Sequence, residues 1–325
     1  MALGQKKGTS LDWIARYGHM ERKNPTLITR RQAVASLATL ATGTILRPSS
    51  VLAYASSDSK TRFAVLGDFG TGGSDEFAVA AQMLQEHKQS DFEFVLTVGD
   101  NIYPNGNAKY FAKHFEEPFA GLLEKRVKFY AVLGNHDVEE GRKDQCDYPL
   151  FNMGGSSYYS ISRGNGLIDF FMLDSTDFGA GQANWLENGL RNSRAVWKIV
   201  ALHHPIYSSG KKHGSSVAVR KTLEPMLTKY QVQVVFAGHD HVYERLKLQA
   251  GIQHFVTGAG GKMRRGDIDL KSTLRATSYD EDNSFMLIEV DERQMIFKSI
   301  NEKGLTVDSG IIKQSTSLVS QARFA

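Results

Sequence analysis

The chain has one cysteine, Cys146, in 325 residues, so it cannot close an internal disulfide in any compartment. It also lacks an apolar run long enough for a membrane span. The nearest approach, Ala33 to Leu46, is short and rich in Ala, Thr and Gly. Nor does the body carry an excess of positive charge. Residues 1–55 hold eight Lys or Arg and two acids, which leaves thirty-one basic and thirty-three acidic residues, a net of −2, for 56–325. That balance offers no footprint for nucleic acid. Residues 61–312 contain no internal repeat, low-complexity tract or linker. The Gly258-Ala259-Gly260 turn is followed by no helical pattern, which argues against a nucleotide-binding loop. What the chain does have, at 41% hydrophobic residues, is enough apolar material to bury one large core.

The basic N-terminal part has its own logic. Thr29-Arg30-Arg31-Gln32-Ala33-Val34 sets paired arginines before the modest apolar run, and Ala53-Tyr54-Ala55 is a small-x-small cleavage pattern. The segment resembles a twin-arginine export signal, with a longer lead-in than usual and Ala after Gln32. The resemblance implies a leader over 1–55 and a single domain over 56–325 with a short C-terminal tail. It also implies a periplasmic or secreted protein with no stable membrane insertion after cleavage.

From Thr61 onward, apolar runs alternate with helical patterns, the signature of an α/β fold. Strands are expected at 63–66, 94–98, 127–133, 197–202, 232–237, 252–256, 285–290 and 294–300, with a hairpin formed by 158–161 and 167–173. Helices are expected from Ser74, as cap, with Phe77, Ala80, Ala81 and Leu84 on one apolar face. Others are expected over 108–123, broken near Pro118, and over 182–191 and 217–230. Residues 139–155 and 262–283 read as loops.

Five of these strands run into clusters of metal-binding or acid–base residues: Asp68; Asp100 with Tyr103; Asn135 with His136; His203; and His239 with His241. The pivot is Val98-Gly99-Asp100-Asn101-Ile102-Tyr103, where a glycine turn delivers a carboxylate just past a strand's carboxyl end. Ligands of open α/β sheets gather at that place. One strand-Gly-Asp turn is a weak signal; five strand ends together are a strong one. Carboxylates, a phenol and imidazoles, with no thiolate among them, suit two hard or borderline cations sharing one carboxylate.

Gly67-Asp68-Phe69-Gly70, Gly99-Asp100-Asn101-Ile102-Tyr103, Gly134-Asn135-His136-Asp137, the His203 block and Gly238-His239-Asp240-His241 resemble the five motifs of the purple acid phosphatases. The order and spacing are closest to the small, single-domain, tartrate-resistant type within the calcineurin-like metallophosphoesterases. The resemblance covers about residues 61–300. It implies a β-sandwich flanked by helices, a four-layer αββα fold, with a dinuclear Fe(III)–M(II) centre. Carried over position by position, Fe(III) takes Asp68, Tyr103, His241 and bridging Asp100. The divalent ion, Fe, Zn or Mn, takes Asn135, His203, His239 and Asp100. General metallophosphoesterases place a His two residues after the first Asp; here that position is Gly70, and Tyr103 supplies the replacement donor. A free tyrosine ionises near pH ~10, so a phenolate ligand calls for a strongly acidic cation such as Fe(III).

The implied activity is acid hydrolysis of phosphate monoesters by a metal-bound hydroxide, on a small-molecule or phosphoprotein substrate. The alternatives are a phosphodiesterase or pyrophosphatase on the same site, a redox-active iron protein with little hydrolysis, and a phosphate-binding module. His136 and His213 are the candidates for general acid or substrate anchor. Motif alignment favours His203 over its neighbour His204, which reads as a wall residue. His87 and His114 read as solvated surface, and His254 as packed. Arg264 and Arg265 read as a solvated loop, with phosphate contact as the alternative. Cys146 reads as inert and Asp174 as a structural carboxylate.

Overall fold

In a computed structural model, residues 60–314 are described; the expected leader and the residues after 314 lie outside them. Thirteen strands form two sheets among the described residues. The first sheet has the order β13-β12-β11-β1-β2-β3, with β1 Thr61–Leu66, β2 Phe94–Thr97, β3 Lys128–Tyr130, β11 Ser284–Val290, β12 Gln294–Asn301 and β13 Thr306–Lys313. The second has the order β10-β8-β9-β7-β6-β5-β4. Its strands are β4 Tyr159–Arg163, β5 Ile168–Met172, β6 Trp197–Ala201, β7 Val234–Ala237, β8 Tyr243–Leu246, β9 Gln253–Thr257 and β10 Arg275–Tyr279.

The central strands read as unbroken apolar runs because both of their faces are buried. In β1, Phe63 and Val65 enter the core between the sheets, while Ala64 and Leu66 pack under the helices. In β6, Ile199 and Ala201 face inward, and Val200 joins a cluster with Leu186 and Leu190 of helix Ala180–Asn192 and Leu223 and Leu227 of helix Val217–Lys229. The inner core is knitted by aromatic contacts. Phe63 stacks on Phe94 at 5.2 Å and meets Phe170 edge-on at 5.2 Å. The result is the expected four-layer sandwich, helices outside and two sheets within.

Strand direction fixes where the site lies. β1, β2 and β3 are parallel, as are β5, β6, β7 and β9. Successive parallel strands place their carboxyl ends at one edge of each sheet, so the loops after β1, β2, β3, β6, β7 and β9 gather there.

Several expectations need correction. Helix Ser74–Ser90 buries Glu76, Val79, Ala80 and Met83, whereas Phe77 is exposed, so its inner face is offset from the expected one. Ser74 is its first residue, preceded by Gly73 with no side-chain cap. Glu76 sets the rotation: its Oε2 accepts from the backbone N–H groups of Thr71 at 2.9 Å and Gly72 at 2.6 Å, which pulls this face inward. The helix expected over 108–123 does break near Pro118, but before the break it is a 3₁₀ turn at Ala108–Tyr110 and a π-turn at Ala112–Glu116, with a short helix after it at Ala120–Glu124. The expected loop 139–155 holds helices Asp137–Glu140 and Arg142–Asp147 and a 3₁₀ turn at Pro149–Phe151. The expected loop 262–283 contains β10, and β8 and β13 are further strands.

Candidate metal centre

The tight turns after β1, β2 and β7 put three of the candidate ligands into the left-handed region. Asp68 has φ 55°, Asp100 φ 51° and His239 φ 71°. Non-glycine residues rarely adopt that conformation, and where they do it clusters at functional sites. Close approach is enforced as well. A Cβ on Gly134 would lie 2.2 Å from Asp100 Oδ1 and 2.3 Å from its backbone N, so only glycine lets the β3 loop reach Asp100. At Gly70 a Cβ would lie 1.7 Å from the Asn101 carbonyl oxygen. The position that bears a ligand in other metallophosphoesterases therefore has no room for any side chain here.

Among the described residues, two groups could hold a cation: Asp68, Asp100 and His241, and His203, His204 and His239. In the first, Tyr103 Oη is 2.8 Å from Asp100 Oδ2, 3.4 Å from Asp68 Oδ1 and 3.3 Å from His241 Nε2. His241 Nε2 is also 3.4 Å from Asp68 Oδ1. In the second, His203 Nε2 lies 3.0 Å from Asn135 Oδ1, 3.1 Å from His239 Nδ1 and 3.5 Å from Asp100 Oδ1. One oxygen of Asp100 thus faces each group. All seven residues expected as ligands are drawn into this cluster.

The donor chemistry fits two cations. Burial and the Asp100 charge hold Asp68 well above the usual carboxylate range, and Tyr103 is pushed above an ordinary phenol by burial, Asp68 and Asp100. Two carboxylates facing a phenol and an imidazole leave an excess of lone pairs, which a cation satisfies. His203 Nδ1 lies 2.9 Å from the Val98 carbonyl, which only accepts, so Nδ1 bears the proton and Nε2 turns a lone pair toward Asn135 and His239. Burial lowers His203 well below its ordinary value, His239 to about 2 and His241 to about 3, which keeps these rings in the neutral, ligating form.

His136 donates its backbone N–H to Asp100 Oδ1 at 3.0 Å and packs its ring on Tyr103 at 4.7 Å. Its Nδ1 lies 2.6 Å from the Pro104 carbonyl, which leaves Nε2 for another partner. His213 is exposed, with its ring 4.1 Å from that of His239. His204 sits between: its ring is 4.5 Å from that of His239, and its Nδ1 is 3.0 Å from Ser175 Oγ.

Other histidines differ from expectation. His114 is buried, not solvated; it stacks on Tyr110 at 4.8 Å, and its Nδ1 meets the Tyr103 carbonyl at 2.9 Å. His87 is half-buried because its ring packs on Phe92 at 4.9 Å. His254 is packed, as expected. Arg264 pairs with Asp267 at 3.2 Å, and Arg265 is exposed and bonds the Glu281 carbonyl. Asp174 is structural, pairing with Arg142 and accepting from Thr176 N–H at 3.0 Å. Cys146 is buried, its thiol pushed up to about 11 by burial, which leaves it unreactive.

Three residues escaped the sequence reading. Asp137 is buried and accepts five hydrogen bonds: from Asn101 N–H and Nδ2, Ile102 N–H, Gly134 N–H and Gln145 Nε2, at 2.8–3.1 Å. It ties the Asp100–Tyr103 loop to the Gly134–His136 loop. Asp240 accepts from Ser208 Oγ at 2.6 Å and Gly214 N–H at 3.1 Å, and so fixes the loop that carries His213. Both stand inside quoted motifs, and an acid beside a ligand was the available signal. Lys262, whose Nζ lies 3.7 Å from the centre of the Tyr103 ring, had none.

Comparison with known proteins agrees with this geometry. The family model for calcineurin-like phosphoesterases matches residues 61–243. Purple acid phosphatase 17 of Arabidopsis thaliana is 31% identical over 66% of this chain and 72% of its own. Human tartrate-resistant acid phosphatase type 5 is 27% identical over 75% of this chain and 88% of its own. The fold is shared with the purple acid phosphatase PPD1 of yellow lupin, with a TM-score of 0.67 and 19% identity over 81% of this chain and 55% of that one. The chain belongs to the calcineurin-like phosphoesterases and, within them, to the purple acid phosphatases.

Proposed function

We propose that the protein is a dinuclear-metal acid phosphatase acting on phosphate monoesters, with an Fe(III) site at Asp68, Asp100, Tyr103 and His241. The divalent site, for Fe, Zn or Mn, is Asp100, Asn135, His203 and His239. The observation that carries this reading is the position of Asp100, one oxygen 2.8 Å from Tyr103 Oη and the other 3.5 Å from His203 Nε2. When bound, a metal pair supplies Lewis acidity that lowers the pKa of water from 15.7 to about 7, and positive charge that draws phosphate.

The protein's own groups do the rest. Asp137 and the Val98 carbonyl hold the carboxylate loop and the His203 ring in place, so little reorganisation is needed when charge develops. His136 presents Nε2 beside the cluster, where it gives a proton to the leaving alkoxide. His213, packed on His239, anchors the substrate from the other side. The substrate is a phosphorylated small molecule or phosphoprotein, and the resemblance of residues 29–34 to a twin-arginine signal supports a place outside the cytoplasm. Among the described residues no helix is long and apolar enough to cross a membrane.

The test is hydrolysis by the metal-loaded protein of an alkyl phosphate monoester, a diester and pyrophosphate across acidic to neutral pH. The reading expects the monoester to be turned over fastest, with the His136→Ala variant losing about 10²–10⁴ in rate, the range of a general acid. Preference for the diester or pyrophosphate would overturn the substrate assignment. Phosphate binding without turnover would overturn the enzyme.

A further inference from the structure

Beyond the ligands, the wall of the centre holds a cation that the mechanism above does not use. Lys262 follows the turn after β9, and the backbone around it is pinned on three sides. Gly260 N–H donates to the Gly67 carbonyl at 2.9 Å, Met263 N–H to Asn283 Oδ1 at 3.1 Å, and Arg264 N–H to the His241 carbonyl at 2.8 Å. Two of those partners belong to the loops that carry Asp68 and His241. The Lys262 backbone is therefore fixed relative to the candidate iron ligands. Its side chain is exposed to solvent, yet its Nζ sits 3.7 Å from the Tyr103 ring centre, well inside the roughly 6 Å reach of a cation–π contact.

We propose that Lys262 is a positioning residue for Tyr103, seating the phenol by a cation–π contact and tuning it as an iron ligand. This rests on the assignment of Tyr103 to Fe(III) made above. A cation over the ring face is attracted by the π electrons, and the attraction strengthens as the ring gains electron density. The same charge lowers the filled orbitals of the phenolate. Moving an electron from them to Fe(III), the event behind a visible tyrosinate band, then takes more energy. Removal of the charge shifts that band to longer wavelength. It also makes the iron harder to reduce, because a positive neighbour no longer favours the added electron. Arg264 does not duplicate this role, since its guanidinium is engaged by Asp267 at 3.2 Å.

The experiment compares the visible spectra and reduction potentials of iron-loaded wild type, Lys262→Met and Lys262→Arg at equal metal content. The expected result is a band at longer wavelength and a lower potential in Lys262→Met, with both restored toward wild type in Lys262→Arg. Methionine matches the length of the stem, and arginine restores charge over the ring, so a packing defect and a charge effect separate. Loss of iron in Lys262→Met alone also supports the role, because arginine then rescues binding by charge. A band that stays in place in both variants, or iron lost from both, overturns the inference while leaving Tyr103 as a ligand. No visible band in the wild type overturns the tyrosinate assignment, and this inference falls with it.

Discussion

Removing the Asp137 carboxylate is the severest structural test of how these loops are held together. Asp137 is fully buried, and its two oxygens accept three backbone N–H groups, from Asn101, Ile102 and Gly134, besides two side-chain amides. Asp137→Ala leaves those three N–H groups without partners. Each unmet buried donor costs about 1–3 kcal/mol, so the loss is at least about 3 kcal/mol if no water enters, and still more than about 1 kcal/mol if a water pairs with one or two of them. Against a stability of about 5–15 kcal/mol for an ordinary domain, that is a large fraction. Asp137→Asn keeps the shape and one oxygen, and loses about 1–3 kcal/mol. Because Asp137 links the loop of Asp100 to that of Asn135, metal affinity falls with it, by about 10–100-fold, as for other groups that orient ligands. Burial and the Asp100 charge push the Asp137 pKa up to about 7, so urea denaturation is best followed at pH 8, with the slope compared between variants. Stability within about 1 kcal/mol of wild type in Asp137→Ala, with metal retained, would refute the reasoning.

Gly70→Ala places a methyl 1.7 Å from the Asn101 carbonyl oxygen and 2.8 Å from Ile102 N, the two residues that separate Asp100 from Tyr103 in the chain. Backbone cannot yield as a side chain can, so the variant loses at least the roughly 1–3 kcal/mol of ordinary overpacking, together with metal, as thermal melting and metal analysis will show; a wild-type melt would contradict this. Glu76, pushed up to about 8 by burial, keeps its proton when folded at pH values where the unfolded chain, ionising near 4.5, has released it. Stability therefore falls as pH rises from about 4.5 to about 8, and Glu76→Gln flattens that slope in urea titrations across the range. Equal slopes in the two proteins would rule Glu76 out as their source.

The cluster of candidate ligands was legible in the sequence because most of them follow a run buried on both faces, and such runs are largely apolar. Phe63 to Leu66 ends at Gly67-Asp68, and Val234 to Ala237 at Gly238-His239. The surroundings were less legible. Glu76 offset the buried face of its helix from the expected one, because two backbone donors in the preceding loop outweighed the apolar period. Residues 137–151 look polar because their helices are short and are held by Asp137 and Gln145, both buried, and not by an amphipathic face. Strand β13 alternates between exposed and half-buried positions at the edge of its sheet and carries no strong apolar signal. His114 reads as surface from its charged neighbours, yet the π-turn carries it under Tyr103. Lys262 meets Tyr103 across 159 positions of sequence, a distance at which no local pattern speaks.

The account turns on Asp100 as the carboxylate shared by two cations, and the metal content per chain tests this most directly. Protein purified without added chelator is expected to hold two metal ions per chain, at least one of them iron, and Asp100→Ala to hold neither at full occupancy. A wild type that binds a single ion, or an Asp100→Ala variant that keeps both, would contradict it.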